Sequence, residues 1–515
     1  MFWADKIAED LKDRKDLLWV DDMVTPSGKA HVGSLRGAIL HDVIFKALKN
    51  SGKKVKYTFF SNDFDPMDGL PVYLDKNKYQ KFMGVPMFMI PAPERKDSFG
   101  DFYFDDFIDL LKSLNCEVET MKDSVEYKRG TYDKVIKIAL DNANKIRGLY
   151  KEVSGSEKPK DWYPFQPICE KCRKIGTTRV CAWDGKEVSY VCEESMVEWA
   201  KGCGHKGKVF PFGGTGKLTW KVEWPAKWAA LGINIEGEGK DHASRGGSRD
   251  LANRLCKEIF NIESPYDLPY EHIIFGGKKM SKSKGIGISA EEVCASLAPE
   301  IIRFIMIRNP NRVIDLNLDS MVIPSLYDEY DRAAKAYAGE IDFPDLARTF
   351  EYSQIKKGVG GGLRIKFSKI AYAIQMPNIN LDMWAKDEKG SELTKGEKGE
   401  FEERIKFARI WLSSFAPEEF KFEIKQSLPK LSLNDTQKNA LKELSIIFKS
   451  EKNWKGEDLH KEIYNVKEKF GAQPKEVFGA IYQIFLGKDS GPQAGWLLAS
   501  LDPPFVLKRL EDAIR

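Results

Sequence analysis

The chain has 515 residues, of which 81 are basic and 77 acidic, so its formal net charge is only +4. This length is too great for one hydrophobic core, and roughly two to four domains are expected. No stretch approaches the ~18 apolar residues that cross a bilayer, and residues 1–14 lack the apolar segment of a signal peptide, so we expect a cytoplasmic protein. The balanced charge gives no sign of nucleic-acid binding, although a local basic face remains compatible with it.

The N-terminal segment predicts a strand, a turn, a helix and a second strand. Residues 17–20 are a short apolar run, and a turn containing Pro26 and Gly28 follows it. From Ser34 onward apolar residues recur at helical spacing, and residues 55–59 alternate as a strand does. A strand–helix–strand unit of this kind implies a parallel sheet.

Beyond this unit the pattern changes several times. Residues 101–150 predict mostly helix, whereas residues 164–208 contain cysteines, glycines and charges and predict an insertion. Strands are predicted again at residues 233–235 and 273–275, each followed by a glycine-bearing loop. The predicted sheet is therefore split, with the insertion between its halves.

The C-terminal third predicts helices. After about residue 344 the strand pattern fades, and residues 358–362 predict a flexible glycine-rich loop. Amphipathic helices are predicted at residues 401–412, 459–470 and 477–485, because apolar residues recur there every three or four positions. This part of the chain predicts a separate all-α domain.

The turn between the first strand and helix has a pattern suited to phosphate binding. It reads Pro-Ser-Gly-Lys-Ala-His-Val-Gly-Ser over residues 26–34. Gly28 lets the backbone approach a ligand and Gly33 leaves room at the helix start, where free N–H groups and the positive dipole end favour an anion. His31 adds an imidazole that can donate to a phosphate oxygen. The alternative is a glycine-containing turn with a structural histidine.

A second pattern, Lys-Met-Ser-Lys-Ser at residues 279–283, lies in a loop rich in Gly, Lys and Ser. When a nucleophile attacks a nucleotide phosphate and pyrophosphate leaves, negative charge builds up on both. Lys279 and Lys282 are compact cations, and a cationic loop that closes at that stage stabilises the transition state more than the ground state. The alternative is an ordinary solvated loop.

Five of the eight cysteines fall between residues 169 and 203. Two of them have the C-x₂-C spacing of a zinc knuckle, so we expect one structural, tetrahedral zinc site that helps this insertion to fold. The expected ligands are Cys169, Cys172 and Cys203, with either His205 or Cys192 as the fourth and Cys181 as a weaker candidate. The alternative is a set of scattered free thiols.

The two loop motifs, in this order, resemble those of the class I aminoacyl-tRNA synthetases. Further residues narrow the resemblance to the class I lysyl-tRNA synthetases: Gly-Lys-Asp-His at 239–242, Gly-Gly-Ser at 246–248, Trp-Lys-Val-Glu-Trp at 220–224 and the tail from 491 to 510. The resemblance implies an enzyme that activates L-lysine with ATP and Mg²⁺ and transfers it to the 3′ end of tRNA(Lys). It also implies a monomer that binds neither DNA nor a membrane.

The resemblance also implies roles for individual residues. Catalysis is expected of His31, Lys279 and Lys282. ATP binding is expected of Ser27, Gly28, His31, Gly33, Ser34, Gly239, Asp241, Gly246, Gly247, Met280, Ser281 and Ser283. Trp220 and His242 are expected to shape the lysine pocket.

A lysine pocket needs a carboxylate for the ammonium group, because an unpaired buried charge is costly. Asp63 and Asp65 follow the second predicted strand, at the edge of the sheet where such folds bind ligands, and either could face the substrate. The alternative is an Asp-rich turn before Pro66. Trp220 could pack against the four-carbon stem, although a place in the core is the more common one for tryptophan.

The expected architecture is α/β: a split Rossmann-type parallel-sheet catalytic domain with a zinc-knuckle insertion, then an all-α anticodon-binding domain. The predicted boundaries are 1–160 and 216–285 for the catalytic halves, 161–215 for the insertion, 286–344 for connecting helices and 345–515 for the anticodon-binding domain. A second metal cluster, frequent in the resembled family, is expected to be absent because residues 90–100 contain no histidine. The rival functions are another class I specificity, glutamate above all, and a non-catalytic synthetase-like RNA-binding paralogue.

Overall fold

In the computed structural model of the chain, the described residues are 1–95, 97–276, 278–279, 288–356, 362–430, 432–450 and 454–515. The chain divides into two compact units. The first comprises Met1–Ala295, Ile302–Asn317 and Phe343–Ile355, and the second comprises Ser296–Ile301, Leu318–Asp342 and Lys356–Arg515. Among the described residues, no helix combines the length and the apolar character that a membrane crossing requires.

The first unit is built on a parallel sheet. Strand β1 (Leu18–Val24) pairs with β2 (Val55–Ser61), with Leu18 opposite Val55 and Val24 opposite Ser61, and β3 (Glu119–Lys122) pairs with β2 in the same direction. Helix α2 (Val32–Asn50) connects β1 to β2. The strand–helix–strand unit and the parallel sheet predicted from the sequence are therefore confirmed.

A small antiparallel module separates the two halves of this sheet. Strand β4 (Phe165–Pro167) pairs with β8 (Gly216–Leu218), while β5 (Thr178–Trp183), β6 (Val188–Cys192) and β7 (Lys206–Val209) form a three-stranded sheet. Val180 and Tyr190 of this module lie in one buried cluster with Ile136 and Leu149 from outside it. The inserted residues therefore share a hydrophobic core with helices of the first unit instead of forming an independent one.

Beyond β1 the sheet continues through single residues. Ile235 forms a parallel bridge with Val20, and Tyr266 forms one with Ile235. The strand predicted at residues 233–235 is thus reduced to one bridging residue, because the side-chain oxygen of Asn234 accepts the Trp19 N–H. The Trp19 N–H thus bonds to a side-chain oxygen where a regular sheet would offer it a backbone carbonyl.

Short strands complete the first unit. Strands β9 (Glu238–Gly239) and β10 (Pro269–Tyr270) pair in parallel, and β11 (Ile273–Phe275) lies between β12 (Lys278–Lys279) and β13 (Ile314–Asp315). The strand predicted at residues 273–275 is confirmed.

The remaining helices follow in chain order. They are α1 (Trp3–Asp10), α3 (Lys76–Tyr79), α4 (Phe99–Ser113), α5 (Asp123–Lys128), α6 (Asp133–Asp141), α7 (Ala143–Ser154), α8 (Trp220–Leu231), α9 (Lys240–Ala243), α10 (Ser248–Leu255), α11 (Ala290–Ser296), α12 (Pro299–Ile307), α13 (Val322–Tyr337), α14 (Pro344–Ser353), α15 (Phe367–Ala373), α16 (Leu381–Lys389), α17 (Lys395–Ser414), α18 (Asp435–Ser450), α19 (Gly456–Lys469), α20 (Pro474–Leu486), α21 (Ala494–Ala499) and α22 (Pro503–Ile514).

The second unit contains no strand in the part that the structure describes. The three amphipathic helices predicted from the sequence are present as α17, α19 and α20. The predicted glycine-rich loop at residues 358–362 lies, apart from Gly362, outside the described residues. Trp411 of α17 is fully buried and its Nε1 donates to the Ser320 carbonyl (2.9 Å), so this tryptophan belongs to the core.

Candidate functional site

A cavity of about 530 Å³ opens in the first unit where several strands end. Its lining includes Thr25 just after β1, Asn62 just after β2 and Gly239 at the end of β9. Parallel α/β sheets bind ligands at this edge, and the volume falls within the ~300–1,000 Å³ of common ligand clefts. The cavity is therefore the candidate active site.

The first loop motif forms one wall of the cavity. His31 is the N-cap of α2 and lines the cavity together with Gly33 and Ser34. A Cβ atom on Gly33 would lie 2.6 Å from Cε1 of His31, so glycine leaves the space that the imidazole occupies. The first turn of α2 has no acidic side chain of its own, so the positive end of its dipole favours an anion there.

The second loop motif lies partly outside the described residues, namely at Met280, Ser281, Lys282 and Ser283. Lys279 lies in β12, which pairs with β11. In the described segment that begins at residue 288, Ser289 forms an antiparallel bridge with His31. The chain that follows the second motif is thus paired with the first motif.

The segment at residues 239–242 forms a second wall. Gly239, Asp241 and His242 all line the cavity. Oδ1 of Asp241 lies 3.0 Å from Nε2 of His272. The His242 ring stands edge-on to Trp220, with ring centres 5.7 Å apart, so the two residues expected to shape the lysine pocket are in contact.

Acidic side chains dominate the polar lining of the cavity. Seven carboxylate residues line it: Asp22, Asp65, Asp123, Glu223, Glu236, Glu238 and Asp241. Only Asp65 and Asp241 were predicted as site residues. Two of the others carried a general signal, because Asp22 lies within a buried strand and Glu223 within a tryptophan-rich helix, where an unpaired charge would be costly; this signal does not say which cavity they line.

One of two buried lysines at the cavity pairs with its acidic lining. Lys217 forms salt bridges with Asp65 and with Glu223, the latter at 2.6 Å, whereas Lys227, which itself lines the cavity, pairs at 2.8 Å with Asp21, which does not. Burial opposes protonation of Lys217, but the neighbouring carboxylates raise its pKa above the ordinary value. Both lysines therefore remain charged beneath the cavity.

Besides Glu223, two of the lining carboxyl groups have raised pKa values. Burial and the neighbouring Glu223 raise the pKa of Asp123 well above its ordinary value. Burial, together with Asp267, raises the pKa of Glu238 to about 8 even though Arg249 opposes the shift. A cation that entered the cavity would favour the ionised form of both groups.

Some predicted site residues lie elsewhere. The Asp63 carboxylate is buried and accepts hydrogen bonds from the Ser124 N–H (2.8 Å) and hydroxyl (2.5 Å), and Asp63 does not line the cavity. The residues Ser27, Gly28, Gly246 and Gly247 are also absent from the lining. Gly28 has a φ of +134°, and a Cβ atom there would lie 2.6 Å from the Tyr73 hydroxyl, so this turn requires glycine for a structural reason.

Four cysteines come together in the inserted module. The Sγ atoms of Cys169, Cys172, Cys192 and Cys203 all lie within 4.8 Å of one another, with two pairs at 3.6 Å. A tetrahedral site with Zn–S bonds of ~2.3 Å places sulfur atoms ~3.8 Å apart, so this group fits zinc. His205 lies outside the group, with Nε2 3.5 Å from the Glu170 carboxylate. Between the two candidates for the fourth ligand, the geometry favours Cys192.

The chain is similar to known proteins along its whole length. Residues 1–356 match the family model described as tRNA synthetases class I (K), and residues 400–514 match the anticodon binding domain. The lysine–tRNA ligase of Thermoplasma acidophilum is 34% identical over 100% of this chain and 99% of its own length, and that of Archaeoglobus fulgidus is 33% identical over 100% of both. A solved glutamate-tRNA synthetase of Elizabethkingia anophelis is 14% identical, with a TM-score of 0.45, over 97% of this chain and 100% of that one.

Proposed function

The chain belongs to the class I lysyl-tRNA synthetases, and on that premise we propose that it converts L-lysine and ATP to lysyl-adenylate and transfers the lysine to the 3′ end of tRNA(Lys). One observation carries the proposal: His31 and Gly33 at the start of α2 share a single cavity with the segment at residues 239–242. A phosphate-binding helix start beside a pocket for an amino acid is what adenylate formation requires.

We assign the ATP phosphates, with their Mg²⁺, to the wall formed by His31, Gly33 and Ser34. The positive end of α2 favours an anion there. Gly239 and Asp241 line the same cavity and are assigned to the rest of the nucleotide. Ser27, Gly28, Gly246, Gly247, Met280, Ser281 and Ser283 remain predicted ATP contacts. Lys279 and Lys282 are assigned the charge that develops on the α-phosphate and on the leaving pyrophosphate.

We assign the lysine side chain to the acidic part of the cavity. Asp65 and Glu223 both pair with Lys217, and Asp123 lines the cavity beside Glu223. Asp65 and Glu223 are one acidic group more than the single Lys217 ammonium group can neutralise, and a substrate ammonium group would balance that excess and favour the ionised form of Asp123. A glutamate side chain would instead be repelled, so the lining favours lysine over the rival specificity. Trp220 and His242 are assigned to the four-carbon stem.

The assignment of Asp65 has a matched test in Asp63, which lies two residues away and bonds to Ser124 instead. We expect Asp65→Asn to raise the KM for lysine by more than tenfold, since a charge-assisted contact contributes ~1.5–3 kcal/mol. Asp63→Asn should leave this KM unchanged and lower the thermal stability. Steady-state aminoacylation measures both variants, and an unchanged lysine KM for Asp65→Asn would contradict the assignment.

The four-cysteine group is assigned one structural Zn²⁺ held by Cys169, Cys172, Cys192 and Cys203. The metal would supply folding energy to the module, and no reaction step is assigned to it. We further propose that the enzyme is a monomer in the cytoplasm and that residues 345–515 read the anticodon. The match of residues 400–514 to an anticodon binding domain supports the last point.

The overall function is tested by amino-acid-dependent pyrophosphate exchange, with and without tRNA, against all twenty amino acids. Exchange and charging of tRNA(Lys) with lysine alone are expected. Exchange with glutamate and not with lysine would refute the specificity while preserving the class of enzyme. Binding of tRNA without exchange or charging for any amino acid would favour the non-catalytic paralogue.

A further inference from the structure

Two lysines beside Trp220, a residue of the cavity lining, have no role in the function proposed so far. Lys221 follows Trp220, which lines the cavity and has an exposed fraction of 47%. The Lys221 Nζ lies 5.5 Å from the ring centre of Trp220. Lys158 lies in the loop after α7, with its Nζ 4.8 Å from the ring centre of Tyr150 and 5.8 Å from that of Trp162. We call Lys158 and Lys221 the basic rim.

The basic rim has no acidic partner among the residues that the structure describes. The two acidic residues of the same loop have other partners: Glu157 pairs with Lys151 at 2.8 Å and Asp161 with Arg179 at 2.7 Å. Burial and the charge of Lys221 both lower the pKa of Lys158, so the two ammonium groups are close enough to repel each other. Two neighbouring like charges are an unfavourable arrangement that a bound anion relieves.

We propose that the basic rim binds the phosphodiester backbone of the single-stranded 3′ end of tRNA where that strand enters the cavity. This inference rests on the proposed function, in which the terminal ribose must reach an adenylate inside the cavity. The last nucleotides therefore pass the mouth, and their phosphates need cations there. Lysine ammonium groups bind phosphate as compact point charges and suit a strand that must also leave.

The test compares two tRNA molecules and one double variant. Lys158→Ala/Lys221→Ala is expected to raise the Kd for full-length tRNA about tenfold, because the variant lacks two solvent-exposed ion pairs with phosphate, each weaker than a buried charge-assisted contact. The dependence of log Kd on log salt should become shallower by about 0.7 for each phosphate that the variant leaves without a lysine. A tRNA that lacks its single-stranded 3′ end should bind the wild-type chain and the double variant equally.

Three controls make the outcome decisive. Lys54→Ala removes an exposed lysine that precedes β2, at the opposite edge of the sheet from the cavity, and should leave the Kd unchanged. Lys158→Arg/Lys221→Arg keeps the charges and should bind full-length tRNA nearly as the wild type does. The KM for ATP should stay the same in the alanine double variant.

The inference is overturned if the alanine double variant binds full-length tRNA as tightly as the wild type. It is also overturned if the variant binds both tRNA molecules more weakly by the same factor, or if its KM for ATP rises, which would assign the rim to the nucleotide phosphates. A wild-type chain that charges tRNA with another amino acid would refute the proposed function, while the comparison of the two tRNA molecules would still decide the role of the rim.

Discussion

Gly33→Ala is expected to lower the activity of the enzyme without lowering its stability. In the structure a Cβ atom at residue 33 would lie 2.6 Å from Cε1 and 2.7 Å from Nδ1 of His31. Carbon atoms in contact stand ~3.5–4.0 Å apart, so the imidazole must move by ~1 Å to admit the methyl group. The ring can do this by rotating about its side-chain bonds, which relieves the clash and displaces the ring from the phosphate site.

The expected cost is catalytic. A displacement of ~1 Å at a reacting group costs about a hundredfold in rate, and loss of a donor to the transition state costs about 10²–10³-fold in kcat. The backbone of α2 is helical at Gly33, so alanine should stabilise the helix by ~0.5–1 kcal/mol. We therefore expect a variant that is at least as stable as the wild type and more than a hundredfold slower.

Gly148→Ala is the matched control. Gly148 lies within α7, and no atom lies within 4 Å of a Cβ built there. Its alanine variant should gain similar stability and keep wild-type kcat. Thermal unfolding and single-turnover formation of lysyl-adenylate, followed with saturating tRNA, measure the two effects. If Gly33→Ala kept kcat within twofold of the wild type, the role given to the His31 imidazole would be refuted.

Two further predictions concern the metal and a buried carboxyl group. Cys172→Ser should abolish binding of the single expected zinc ion and lower the unfolding temperature, whereas Cys181→Ser should still bind one zinc ion. Elemental analysis measures the zinc content of each variant, and two zinc ions in the wild type would contradict the expectation of a single site. Burial and the nearby Glu403 raise the pKa of Glu300 to about 7, so the protonated carboxyl group is favoured in the folded state. The stability that this group contributes is therefore present below pH ~4.5 and is lost as the pH rises through 7. Glu300→Gln should therefore stabilise the chain by at most about 3 kcal/mol at pH 8 and hardly at all at pH 4, and equal effects on chemical denaturation at both pH values would refute the reasoning.

The site residues that sequence patterns predicted are those that lie close to one another in the sequence. His31 and Gly33 belong to one turn, and Gly239 and His242 to another, so a motif fixes each pair before the fold is known. Asp22 could not be predicted in the same way, since its place in the cavity depends on which segments, distant in sequence, pair with β1.

Asp63 and Asp65 show a different limit of sequence patterns. Two residues apart, they would face the same side of a continuing strand. The chain turns instead after β2, where the Asp65 N–H donates to the Asn62 carbonyl (3.2 Å), and the two carboxylates separate. Asp65 then meets Lys217, 152 positions along the chain, and that partner follows from the tertiary fold alone.

Buried lysines beneath a cavity that must accept lysine look at first like competitors of the substrate. Their effect on the neighbouring acids is the opposite. Burial raises the pKa of Glu223, and Lys217 opposes that shift. Without such a cation, desolvation would leave the carboxyl groups neutral, and a neutral carboxyl group distinguishes an ammonium group poorly from an uncharged amide or hydroxyl. Even without Asp123 and Glu238, whose pKa values are raised, the lining has more acidic groups than Lys217 and Lys227 can neutralise. The internal lysines therefore favour the ionised form of the acids that they contact and still leave negative charge for the substrate to balance.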